Sequence, residues 1–87
     1  MEYQLTEHAQ LEMQRRQISP EWVEALMVMP EQIVSGFGGR KVYQGRVVSG
    51  DKTYLLRLIV EDWLTPPVIV TIYRTSKIEK YWGNDEN

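Results

Sequence analysis

The sequence contains no cysteine, which excludes a disulfide framework, a thiolate nucleophile and a cysteine-built zinc centre, and fits a reducing compartment. It has one histidine, His8. His8 and Glu12 have the i, i+4 spacing of a helical metal pair, but no third ligand stands out, so no metal and no cofactor is expected. No apolar run approaches the roughly 20 residues needed to span a bilayer, so no membrane partner is expected. The opening MEYQLTEHAQ is polar and acidic and lacks the apolar core of a secretory signal, which makes the cytoplasm the expected location. No Ser/His/Asp constellation, internal repeat or low-complexity segment is present. The glycine-rich Gly36–Phe37–Gly38–Gly39 lacks the Lys-Ser/Thr ending and the strand-to-helix context of a phosphate loop, and reads as a turn.

What is present fits one small globular domain over 1–87. The apolar share is 43% and the charged share 25%, an ordinary folded composition. The net charge of −2 is unevenly spread. Residues 1–35 carry two arginines against six glutamates, a balance of −4. Residues 36–82 carry eight Lys or Arg against four Asp or Glu, a balance of +4, and Asp85 and Glu86 follow. The helical half is acidic and the sheet half basic. The overall charge argues against non-specific nucleic-acid binding, while the local excess leaves room for a basic face.

Met1–Leu5 is a short lead-in strand or coil. Thr6 is an N-cap, and Glu7 complements the positive helix end, predicting a first helix over about residues 7–17. Ala9, Met13 and Ile18 form its apolar side. Ser19–Pro20–Glu21 starts a second helix with Trp22, Val23, Leu26 and Met27 on one side, and Pro30 stops it. From Gln32 the period alternates. Short Gln32–Ser35, then Arg40–Val48, Thr53–Glu61 and Val68–Thr75 read as strands, with a hairpin turn at Ser49–Lys52 and a proline loop at 64–67. Ser76 caps a final turn through Trp82. The predicted fold is α+β, with two N-terminal helices on one face of a twisted antiparallel sheet of three to four strands.

Strand parity sorts the faces. The expected core is Ala9, Met13, Ile18, Val23, Leu26, Leu56, Leu58, Val68, Val70 and Ile72, with Tyr54 and Val60 on the same side. Arg57, Thr71, Tyr73 and Thr75 then point the other way, and Lys41 and Tyr43 are assigned to Arg57's face. Arg57 among apolar strand residues must emerge on that second face or be paired. With Thr71, Tyr73 and Lys41 it forms a polar, basic patch suited to a phosphodiester, where cations offset developing charge and hydroxyls donate to oxygens. An ordinary solvated face with a cross-strand cation–aromatic pair is the competing reading. His8 at a helix start is either a usable general base, oriented by Glu12, or an ordinary solvent-exposed histidine. Trp22, Trp63 and Trp82 read as packing residues.

Thr6-Glu7-His8-Ala9, then Met13, Arg16, Ile18 and Ser19, resembles the T-x-H-A-x-x-R-M-x-x-R-G-I-S opening of bacterial domain of unknown function 4258. Pro30-Glu31, Gly39-Arg40-Lys41-Val42-Tyr43, Val70-Thr71-Ile72-Tyr73-Arg74 and the ending Lys80-Tyr81-Trp82 continue the likeness. This resemblance implies kinship with RelE-like and BrnT-like toxins, small metal-independent endoribonucleases usually paired with an antitoxin protein. It implies a RelE/barnase-like sheet with helices on one side and RNA on the other, and sets His8, Arg16, Thr71 and Tyr73 at family positions. Two positions depart: the family's first-helix Arg falls on Glu12, and its Gly on Gln17.

Two functions follow as expectations. In the first, a toxin-like endoribonuclease, the catalytic residues are His8, Arg57 and Tyr73, and Arg16, Lys41 and Thr71 bind RNA. In the second, the same fold is a non-catalytic regulatory module binding RNA or protein, or a homo-oligomer joined through a sheet edge. Glu12, which repels phosphate, favours the second.

Overall fold

The computed structural model describes residues 1–83. The chain runs β1 (Gln4–Leu5), α1 (Glu7–Arg15), α2 (Pro20–Val28), β2 (Gln32–Ser35), β3 (Lys41–Ser49), β4 (Lys52–Glu61), β5 (Val68–Thr75) and α3 (Ile78–Tyr81), with a 3₁₀ turn at Phe37–Gly39 before β3. The strands form one five-stranded sheet in the order β1-β5-β4-β3-β2. All neighbours are antiparallel except β1 and β5, which are parallel. The sheet is thus mixed and one strand wider than sequence alone suggests, because the lead-in residues Gln4 and Leu5 pair with Val68 and Ile69.

Both helices begin on the predicted caps. The Thr6 hydroxyl accepts from the Ala9 N–H (3.0 Å) and donates to the Val70 carbonyl (3.0 Å), so one side chain starts α1 and ties it to β5. The Ser19 hydroxyl accepts from the Glu21 and Trp22 amides, with Pro20 in the first helical turn. α1 ends two residues earlier than the periodicity predicts. There the Ile18 N–H donates to the Met13 carbonyl and the Gln17 N–H to the Gln14 carbonyl, a Schellman closure with Gln17 at φ 54°. This left-handed position explains why a glycine suits residue 17. A side chain there costs roughly 1–2 kcal/mol, partly offset because glycine gains about 0.4–1 kcal/mol of unfolded-chain freedom. Gln17→Gly is expected to stabilise the fold by about 0.5–1 kcal/mol, a rise of a few degrees in Tm. Thermal unfolding followed by circular dichroism checks this, and an unchanged or lower Tm would remove the strain argument.

The helices cover one sheet face. Ala9, Ile18, Val23, Leu26, Met27, Leu56, Leu58, Val60, Ile69 and Ile72 form a single buried cluster, flanked by half-buried Tyr3, Leu5, Met13, Trp22, Tyr43 and Val47. β3 is pressed onto α2 at Gly45, where a Cβ would lie 2.7 Å from Leu26 Cδ2.

Two expectations about the faces are corrected. Val68 and Val70 are half-buried and Ile69 takes their place in the core, because the β4–β5 register shifts between Ile59 and Val60: Ile59 opposes Thr71, while Val60 opposes Ile69. The bulge reverses side-chain parity in the first half of β5 only. On β3, Tyr43 opposes Leu58 and Lys41 opposes Val60, so both lie on the helix side, and Tyr43 packs against the core. Val42 and Gln44 instead share Arg57's face, opposite Ile59 and Arg57.

That second face is also partly covered. After β5 the chain turns at Lys77, whose N–H donates to the Thr75 hydroxyl, and α3 starts at Ile78 rather than directly after a Ser76 cap. Tyr81, Trp82 and Gly83 then pass over the face opposite α1 and α2, and Val42, Gln44, Leu55 and Arg57 are buried there. Among the described residues no helix is long and apolar enough to cross a membrane.

Candidate functional site

Arg57 sits in the middle of β4, the central strand, and its cross-strand partners are Gln44 and Tyr73. The side chain is 9% exposed. Its Nε donates to Gln44 Oε1 at 2.8 Å and its Nη1 to the Tyr73 hydroxyl at 2.6 Å. The guanidinium also lies 4.4 Å from the Tyr81 ring centroid and 5.7 Å from that of Tyr73, and the two rings meet edge to face at 6.3 Å. Among the described residues no carboxylate lies within ion-pair distance of Arg57. Its charge is met by an amide oxygen, a hydroxyl and two aromatic faces, which satisfy its geometry without neutralising it.

Thr71 precedes Tyr73 by two residues on the same face, opposite Ile59. On the side away from β4, β5 pairs only with the short β1, and α1 rises beside that edge. The Thr6 N–H donates to the Ile69 carbonyl, and the first helical turn then carries His8 to the rim. His8 Nε2 lies 3.1 Å from Thr71 Oγ1, with the donor set by the imidazole tautomer. The imidazole is exposed. The structure thus brings together His8, Thr71, Tyr73 and Arg57 as a continuous line from the sheet edge to its centre.

The other two predicted residues do not join this line. Lys41 projects on the helix side. Arg16 donates through Nε to Glu12 Oε1 at 2.7 Å, and Arg15 through Nη1 to Glu12 Oε2 at 2.8 Å. The Arg16 hydrogen bond, with the charges of Arg15, Arg16 and His8, holds the Glu12 carboxyl below the usual carboxylate range despite its burial. Glu12 is therefore committed to two arginines rather than to a metal. Among the described residues no group of three or more His, Asp or Glu side chains is placed to hold one.

Three participants were not foreseen: Gln44, Gln32 and Tyr81. Gln44 is fully buried, accepting from Arg57 and donating to Gln32 Oε1 (2.8 Å) and to the Tyr81 carbonyl (3.1 Å). A glutamine in an otherwise apolar-alternating strand is the only sequence signal for this, and it carries no information on partner. Tyr81 and Trp82 stood in the aromatic ending, which reads equally well as packing. Trp82 does pack: the Arg46 guanidinium lies 4.9 Å from its ring and is held bidentately by Glu31, whose carboxyl the arginine pulls below its usual range.

No curated protein and no solved structure matches the chain. One family model does match, over residues 5–74. That span contains His8, Glu12, Arg16, Arg57, Thr71 and Tyr73 and stops before Lys80-Tyr81-Trp82, so the likeness seen in the ending lies outside it. The model is described as "Domain of unknown function (DUF4258)", and since it spans most of the chain, this protein belongs to that family.

Proposed function

We propose that this chain binds single-stranded RNA on the Arg57 face and cuts it as a toxin-like, metal-independent endoribonuclease of the cytoplasm, restrained by an antitoxin protein. The observation that carries this reading is Arg57, nine-tenths buried on the face opposite α1 and α2, with no carboxylate partner among the described residues. A buried cation left without a counter-charge is costly unless a ligand supplies one. A phosphodiester is a fitting ligand, because Gln44 and Tyr73 take only two of the five guanidinium N–H donors and the remaining ones suit a phosphate oxygen.

In this reading Tyr73 and Thr71 donate to the phosphate and orient it, and Arg57 stabilises the extra charge of the phosphorane. His8, against Thr71 at the rim, takes the 2′-hydroxyl proton or protonates the leaving oxygen. The direct test is inducible expression in a bacterial host with growth and RNA integrity followed together. Growth arrest with fragmented RNA is the expected result. Normal growth with intact RNA overturns the nuclease.

A second reading, a regulatory module that binds RNA or protein without cutting, is favoured by Glu12, which occupies both Arg15 and Arg16. Glu12→Arg removes the acceptor and frees both. RNA binding should strengthen, and its salt dependence should steepen by at least about one phosphate contact. Tighter binding without any cleavage would establish the second reading, whereas cleavage by the wild-type protein would sink it.

A further inference from the structure

The Arg57 face is not open. The segment Ile78–Gly83 lies across it as a strap, and its attachments are few and polar. Gln32 clasps the Gly83 backbone from both sides, Nε2 donating to the carbonyl at 2.9 Å and Oε1 accepting the N–H at 3.0 Å. Gln44 Nε2 donates to the Tyr81 carbonyl at 3.1 Å. The remaining hold comes from the Tyr81 ring against Arg57 and Tyr73, and from Trp82 beside Arg46. No residue from 76 to 83 is fully buried. Among the described residues the segment is held by three hydrogen bonds and ring contacts and has no buried apolar anchor of its own, which are marks of the low-stability end of a fold.

The Tyr81 ring also occupies an informative place. It stacks on an arginine and meets a tyrosine edge-on, next to the phosphate donors named above. Aromatic and guanidinium surfaces in this arrangement are the platform on which unstacked bases are received. We infer that the strap is a competing occupant of the RNA site, with the Tyr81 ring standing where a nucleobase of single-stranded RNA sits, so that RNA binds only to the fraction of molecules whose strap is displaced. This inference rests on the RNA reading of the Arg57 face.

The structure supplies its own lock. A Cβ on Gly83 would lie 2.9 Å from Val34 Cγ1, which is where a cysteine sulfur at residue 34 would stand, and this spacing suits a disulfide. The chain has no other cysteine, so Val34→Cys/Gly83→Cys gives a single reversible cross-link. The probe is a short single-stranded RNA with 2′-O-methyl riboses, which cannot be cut, and binding is read by fluorescence anisotropy. With the strap closed the competent fraction collapses and the observed Kd rises in proportion. The oxidised protein is expected to bind at least about tenfold more weakly than the same protein after reduction. Gln32→Ala, which removes the clasp, should bind several-fold more tightly than wild type and carries the test alone if the double variant does not fold. Equal binding by oxidised and reduced forms, or unchanged binding by Gln32→Ala, overturns the strap. The RNA site survives that result if Arg57→Gln still weakens binding. Absence of Arg57-dependent binding in every form overturns both.

Discussion

Leu58→Ala is expected to lower the unfolding free energy by about 2–5 kcal/mol. Leu58 is completely buried on β4, the middle strand of five, between Tyr43 of β3 and Ile72 of β5. Every side of it is packed, so the surroundings have little freedom to collapse into the space left behind, and cavity cost adds to lost transfer energy. A domain of this size has about 5–15 kcal/mol in total. Urea unfolding should therefore show a midpoint shifted far toward water with an unchanged slope. A loss under about 0.5 kcal/mol would mean that the helix-facing side of β4 is wrongly identified, and with it the outward direction of Arg57.

The second large effect concerns His8. If the chain is the nuclease proposed, His8→Ala should reduce RNA cleavage by about 10²–10⁴-fold, the usual worth of a positioned acid or base. The fold should be nearly unaffected. His8 is exposed and loses one hydrogen bond at the rim, to Thr71, whereas the helix cap and the tie to β5 belong to Thr6. Purified wild type and variant are compared in a cleavage assay beside their thermal unfolding curves. Full activity in the variant would place the proton transfer elsewhere even if the protein cuts RNA. Lost activity with an equally lowered Tm would make His8 structural.

The helices and the long strands were legible because their signals are local. Thr6, Ser19–Pro20 and Pro30 mark boundaries by chemistry that operates within one turn, and the hairpin between β3 and β4 is written in consecutive residues. The faces were legible only where a charge marks one of them. β4 shows this, its core residues Leu56, Leu58 and Val60 alternating with Arg57, whose charge chooses the face although Leu55 and Arg57 are themselves buried under the C-terminal strap. β3 does not, because its cations Lys41 and Arg46 stand on opposite faces and both faces are covered: Tyr43 and Val47 lie under the helices, while Val42 and Gln44 lie under the strap. Alternation without such a mark cannot choose between two covered faces, and Lys41 was misplaced with the rest. In β5 the extra residue at Val70 carries no mark in the sequence. Of the candidate site, Arg57, Thr71, Tyr73 and His8 could be assembled from parity and a helix start. Gln44, Gln32 and Tyr81 could not, because their association spans the chain from residue 32 to residue 83.

The parallel pairing of β1 with β5 bears on how the molecule is made. β2 to β5 form a meander in which each strand pairs with the one just synthesised, so that part can zip up through short loops. The first strand finds its place only against the fifth, 64 residues downstream, and α1 packs chiefly on that same fifth strand. The first helix therefore emerges from the ribosome well before the strand it chiefly packs on, whereas α2 meets β3 soon after it is made. The apolar side of α1 waits for β5, and the imidazole of His8 reaches Thr71 only when the last strand has joined the sheet.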